Sequence, residues 1–161
     1  LEESTRRLRC ALAARGSAES LLMIARTDAL PASGIDEACR RAACYREAGA
    51  DLVFVDGVRT RSEVEAIAKR VEGPKVLSLV DGTDAARLTT TDVAALGFSV
   101  LLYAVSALFT AARAVEAALA DIKSSGTISA IADRPMTYQA FTEVVGLRHH
   151  QELDDRFGGR S

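Results

Sequence analysis

The segment LLMIARTDAL, residues 21–30, decides the fold. Five apolar or small residues run into Arg26, Thr27 and Asp28. Such a run predicts a buried strand, Leu21–Thr27, that ends on charge. Three further β-branched, apolar runs follow it: Leu52–Asp56, Val76–Val80 and Phe98–Tyr103. Their starts lie roughly 20 to 30 residues apart, the spacing of β-α units.

The segments between them carry helix signals. Ser33-Gly34-Ile35-Asp36 reads as a capping-box-like start, with Ile35, Ala38, Cys39, Ala42 and Tyr45 on one side of the helix and Gly49 closing it. Thr60 with Glu63 forms a second capping box before the stripe Val64, Ile67, Ala68 and Val71. Thr89 with Asp92 opens a short third helix that stops at Gly97. A long helix runs from about Ser106 to Lys123, with Leu108, Phe109, Ala112, Val115, Leu119 and Ile122 at helical spacing. Strands apolar on both faces, alternating with helices, imply a parallel sheet covered by helices. Residues 2–15 predict an amphipathic helix before the first strand. After Gly126 the rhythm stops, leaving two modest helices near Thr137–Val145 and His149–Arg156. The domain reading is therefore 1–128 for the β/α units and 129–161 for a helical extension.

Composition narrows the function classes. The chain has 161 residues, 48% hydrophobic and 26% charged, which is ordinary for a globular domain with a real core. A net charge of −2 lacks the basic face a nucleic-acid or membrane-surface binder needs. No apolar run approaches the ~18 residues of a spanning helix. Cys10, Cys39 and Cys44 are spaced for neither zinc nor a disulfide framework, and read as reduced, buried thiols in a cytoplasmic protein.

In parallel α/β folds the ligand sits beyond the carboxyl ends of the strands. Side chains alternate along a strand, so Arg26 shares a face with Leu22 and Ile24, Asp56 with Leu52 and Phe54, and Ser78 with Val76. One polar group thus caps an apolar face on each of three successive strands. The planar fork of Arg26 suits a carboxylate or phosphate. Pairing of Arg26 with Asp28 or Asp56 at the rim fits the same spacing. Two architectures fit the rhythm: an open doubly wound sheet with Asp56 as a phosphate acceptor, and part of a (β/α)₈ barrel.

MIARTDAL, followed by GIDEACRRAACYREAGADLVFVDGV, closely resembles the isocitrate lyase/phosphoenolpyruvate mutase superfamily. SLVDG, LTTTDVAALGFSVLLYAVSAL and the tail through LDDRF continue the match in order over nearly the whole chain. The branch most resembled holds methylisocitrate lyase, dimethylmalate lyase and oxaloacetate decarboxylase-like proteins. That resemblance implies a (β/α)₈ barrel of which these strands are strands five to eight, the C-terminal half. It also implies a homo-oligomer, dimer or tetramer, in which C-terminal helices from about Thr137 are exchanged between subunits.

The resemblance further implies a magnesium-dependent carbon–carbon lyase acting on a small 2-hydroxy or 2-oxo dicarboxylate through an enolate. Arg26 would be the catalytic residue, gripping the substrate carboxylate and steadying the enolate charge, with Asp28 orienting the strand end. Asp56 and Ser78 would be further substrate contacts. Both depart from the family, which usually has glutamate and asparagine there. The shorter Asp56 withdraws its carboxylate by ~1.5 Å, one C–C bond length, enough to break a direct contact. Ser78 offers a single hydroxyl for a forked amide. These departures imply altered substrate choice or lost activity. Ala104, where proline is common, is structural only.

The family's metal-binding aspartates and loop cysteine belong to the barrel's first half. Asp81, Asp84 and Asp92 sit on the wrong loops to replace them, so the Mg²⁺ ligands are expected outside this chain, which reads as a fragment of a longer enzyme or a truncated relative. Phosphonomutase-type P–C chemistry and a non-catalytic role in subunit association are the alternatives. His149-His150 reads as a solvated helix start, Gly158–Ser161 as a frayed tail, and Phe141, Leu147, Leu153 and Phe157 as a docking stripe for a neighbouring subunit.

Overall fold

A computed structural model describes residues 1–17 and 21–158. The tail reading therefore lies, from residue 159 onward, outside the described residues. The chain divides into two compact units, Leu1–Thr110 and Ala111–Ser161.

The first unit is an α/β layer. Helix α1 (Glu2–Ala14) precedes strand β1 (Ile24–Thr27), then α2 (Ala29–Glu47), β2 (Leu52–Val55), α3 (Arg61–Arg70), β3 (Lys75–Leu79), α4 (Thr90–Ala95) and β4 (Val100–Tyr103). A 3₁₀ turn at Ala85–Arg87 joins β3 to α4. The four strands are all parallel and lie in consecutive order, β1-β2-β3-β4. A doubly wound sheet reverses its strand order at the point where it binds its ligand. Among the described residues the order shows no such reversal.

Burial explains this arrangement. Ala25, Val53, Val55, Leu77 and Leu79 point to one face, where they pack with Ala38, Cys39, Ala42 and Tyr45 of α2, Val64 and Ile67 of α3, and Val93 of α4. Burial pushes the Cys39 thiol up. The opposite face carries a smaller cluster of Leu52, Phe54 and Val76, with Val100 against it. Among the described residues the helical core therefore covers one face of the sheet only. Strands β2 and β3 are buried throughout, as inner strands should be, whereas Ile24 on β1 and Leu102 on β4 are exposed.

Polar groups close the amino ends of the strands. The Asp51 carboxylate accepts the Met23 amide at 2.7 Å and pairs with Arg15, just beyond α1. These bonds hold it below the usual carboxylate range, the Met23 amide contributing most. The buried Lys75 ammonium donates to the Gly73 and Gly97 carbonyls at 3.0 and 3.3 Å. Burial lowers its pKa, and Arg46 lowers it further.

Both later capping boxes form as expected, Thr60 with Glu63 and Thr89 with Asp92. The first does not. Helix α2 already begins at Ala29 and is broken at Gly34, whose φ is 79°. Asp36 pairs instead with Arg70 of α3 at 2.7 Å. The expectation of three buried thiols also fails, because Cys10 is exposed and Cys44 half-buried.

Helix α5 (Ser106–Ser125) begins in the first unit. The second unit continues it and adds a 3₁₀ turn at Ile128–Ile131, α6 (Tyr138–Val144) and α7 (Leu147–Phe157). Arg134 pairs with Asp121 at 2.7 Å, and Gly146 turns α6 into α7 in the left-handed region. The stripe on α5 forms but stays uncovered: Leu108, Phe109, Val115 and Leu119 are all exposed. No helix is long and apolar enough to cross a membrane among the described residues.

Candidate functional site

The site builds from the carboxyl ends of β1 and β2. Ala25 faces the helices, so its neighbour Arg26 emerges on the opposite face. Arg26 stands in register with Phe54, which is in turn beside Val76. The guanidinium carbon lies 5.3 Å from the centre of the Phe54 ring, a cation–π contact at the strand ends. There Nε donates to Asp28 at 2.8 Å and Nη2 donates to Asp56 at 2.5 Å.

Each partner has a local reason to stand where it does. Asp28 is the residue before α2 and makes no capping bond, which leaves its carboxylate for Arg26. Thr27, buried on the other face, ties the strand end to the helix by accepting the Ala29 amide at 3.3 Å. Asp56 follows β2 directly, and Gly57 after it takes a φ of 89°, a turn that seats the backbone against Pro31 in the first turn of α2. The Asp56 amide donates to the Thr27 carbonyl at 3.0 Å, so the two strand ends are locked together.

The electrostatics are those of a paired but open cation. The Arg26 side chain is 53% exposed, Asp28 66% and Asp56 27%. The Asp28 bond, helped by the charge of Asp56, raises the Arg26 pKa further, so the guanidinium keeps its proton at every accessible pH. The trio carries two negative charges against one positive. Among the described residues Nη1 takes no hydrogen-bond partner.

Of the residues singled out by sequence, Arg26 and Asp56 are in contact. The shorter Asp56 side chain still reaches the guanidinium. Ser78 lies on the same face, buried and in register with Leu102, but its hydroxyl forms no hydrogen bond among the described residues. Pairing of Arg26 at the rim, one of the two possibilities the spacing allowed, is realised with both aspartates.

Two features escaped the sequence. The Phe54 ring carries the guanidinium as well as packing against Val76; its parity with Arg26 is the available signal. At the far end of the rim, the Ser106 hydroxyl donates to Asp81 at 2.7 Å, joining the loop after β3 to the start of α5. That link has no sequence signal. No three His, Cys, Asp or Glu side chains converge among the described residues, so those residues do not fit a magnesium site by themselves.

A family described as phosphoenolpyruvate phosphomutase matches residues 1–123. The 2,3-dimethylmalate lyase of Eubacterium barkeri is 28% identical over 156 residues, 97% of this chain and 54% of that protein. Among solved structures, oxaloacetate acetylhydrolase in complex with the product oxalate matches with a TM-score of 0.84 at 28% identity, over 98% of this chain and 55% of that one. Phosphonopyruvate hydrolase in complex with oxalate and Mg²⁺ matches with a TM-score of 0.82 at 29% identity, over 98% and 56%. The chain spans about half the length of the relatives it matches.

Proposed function

The chain belongs to the isocitrate lyase/phosphoenolpyruvate mutase superfamily, and from that premise we propose that it carries one wall of a carbon–carbon lyase acting on a small 2-hydroxy or 2-oxo dicarboxylate. The observation that carries this reading is the position of Arg26, at the carboxyl end of β1 on the face away from the helices, with its guanidinium at the rim. With a 2-hydroxy substrate, a general base takes the hydroxyl proton and the hydroxyl becomes a carbonyl as the neighbouring C–C bond breaks. The bonding electrons pass to the adjacent carboxylate-bearing carbon as an enolate. Arg26 holds that carboxylate and offsets the charge that accumulates on it, the kind of preorganised stabilisation that dominates many enzymatic barriers. Ser78 lines the same face as a further contact, and Asp56 borders the site through its bond to Arg26.

In this proposal the four strands are strands five to eight of a (β/α)₈ barrel. Their consecutive parallel order and single helix-covered face support it. The β/α units then run over residues 1–128 and the extension over 129–161. The apolar opposite face meets the other half, which brings the Mg²⁺ ligands. Exchange of the terminal helices between subunits is supported by Phe141, Leu147, Leu153 and Phe157, all exposed on α6 and α7. The same stripe favours a second reading, subunit association without catalysis. A cytoplasmic site of action accords with three thiols that form no disulfide.

The test is release of a 2-oxo acid from 2,3-dimethylmalate, 2-methylisocitrate and oxaloacetate, with Mg²⁺, by the polypeptide that carries both barrel halves. Turnover of one of them supports the lyase. Inertness towards all three, with oligomers intact, leaves the association reading.

A further inference from the structure

The contact between Arg26 and Asp56 bears on how the site is regulated. An arginine can grip a carboxylate with two parallel N–H bonds through either of two edges, Nε with Nη2 or Nη1 with Nη2. Both edges include Nη2, and Nη2 is the nitrogen bonded to Asp56 at 2.5 Å. Nη2 carries two N–H groups, so a carboxylate arriving on either edge shares Nη2 with Asp56 or displaces it, and in sharing lies beside its oxygens, charge against charge. Asp28 differs: it holds Nε only and takes no part in the Nη1–Nη2 edge. Asp56 is also the better seated of the two, at 27% exposure against 66%, fixed by its amide bond to Thr27 and by the Gly57 turn behind it.

We propose that Asp56 is a built-in competitor for the anion site of Arg26, a residue that sets how tightly a small dicarboxylate binds, while Asp28 only orients the guanidinium. This deepens the proposed function and rests on it for the anion-binding role of Arg26 alone. The exchange is a swap of carboxylates on one cation. No bond is made or broken and no proton moves.

The experiment is a calorimetric titration of oxalate, the smallest dicarboxylate, into the 161-residue protein at fixed ionic strength. Asp56→Asn and Asp56→Ala are expected to bind about fivefold more tightly than the parent, matching the release of an exposed ion pair worth about 1 kcal/mol. Two different replacements guard against a folding defect in either, with circular dichroism as the check. Asp28→Asn removes the same charge and is expected to leave the affinity unchanged or lower. Adding Arg26→Ala to Asp56→Asn should abolish the gain. Equal tightening by Asp28→Asn would mean that bulk charge alone is felt, and would overturn the proposal. So would unchanged affinity in both Asp56 variants, or no binding to any variant. Turnover is a separate readout. Tighter oxalate binding without lyase turnover removes the lyase and keeps the competitor; turnover with unchanged oxalate affinity does the reverse.

Discussion

Gly57 stands directly against Pro31: a Cβ added to Gly57 would lie 2.9 Å from Pro31 Cδ. The obstacle is a ring carbon, which cannot swing aside, and Gly57 already holds a φ of 89°. Gly57→Ala therefore meets a steric and a backbone penalty together. We expect a loss of at least about 1–3 kcal/mol in urea unfolding. Oxalate affinity should shift as well, because the turn seats Asp56. A neutral substitution would show that the turn does not fix the rim.

Asp51 predicts a pH signature. Its folded pKa lies below the unfolded value near 3.9, because it accepts the Met23 amide and pairs with Arg15. Stability from this carboxylate is present above that unfolded value and is lost as pH falls through the folded one. Thermal melts of Asp51→Asn against the parent should differ at pH 7. The gap should narrow as the pH drops below about 4. A gap that stays constant to pH 2 would contradict the assignment.

The α3 capping box gives a local test. Thr60 accepts the Glu63 amide at 3.2 Å, and the Glu63 carboxylate accepts the Thr60 amide at 2.9 Å. Thr60→Ala should cost about 1 kcal/mol, and Thr60→Ser should recover most of it. Equal losses in both variants would point to the Thr60 methyl group rather than the cap.

Leu77 is fully buried on the helix-covered face of β3. Leu77→Ala should cost about 2–5 kcal/mol of unfolding free energy. The proposed anion site at Arg26 lies at the strand ends rather than in this core, so oxalate affinity in the folded fraction should hold.

These relationships differ in how far the sequence exposes them. Capping at Thr60 and Thr89 is local chemistry, and both boxes stand where the motif lies. Ser33 carried the same motif, but Gly34 adopts a left-handed φ and Asp36 finds Arg70 across the helix pair, a partner that no local window contains. Strand β1 begins at Ile24 instead of Leu21 because pairing sets its length: β2 starts at Leu52, opposite Ile24. Leu21 and Leu22 are left exposed although their composition suits a strand. On α5 the 3.6-residue period was legible, but a period does not say what covers the stripe. At the site, parity put Arg26, Asp56 and Ser78 on one face. The choice between pairing and ligand binding stayed open, because distances between strand ends are set by tertiary register.

The most direct measurement is kcat/KM for dicarboxylate cleavage by the polypeptide that carries both barrel halves, compared between the parent, Arg26→Lys and Arg26→Ala. The account predicts a fall of about 10²–10³-fold for alanine, by analogy with removing one oxyanion donor. It predicts poor rescue by lysine, whose ammonium lacks the planar fork. Retention of the parent rate by Arg26→Ala would contradict it.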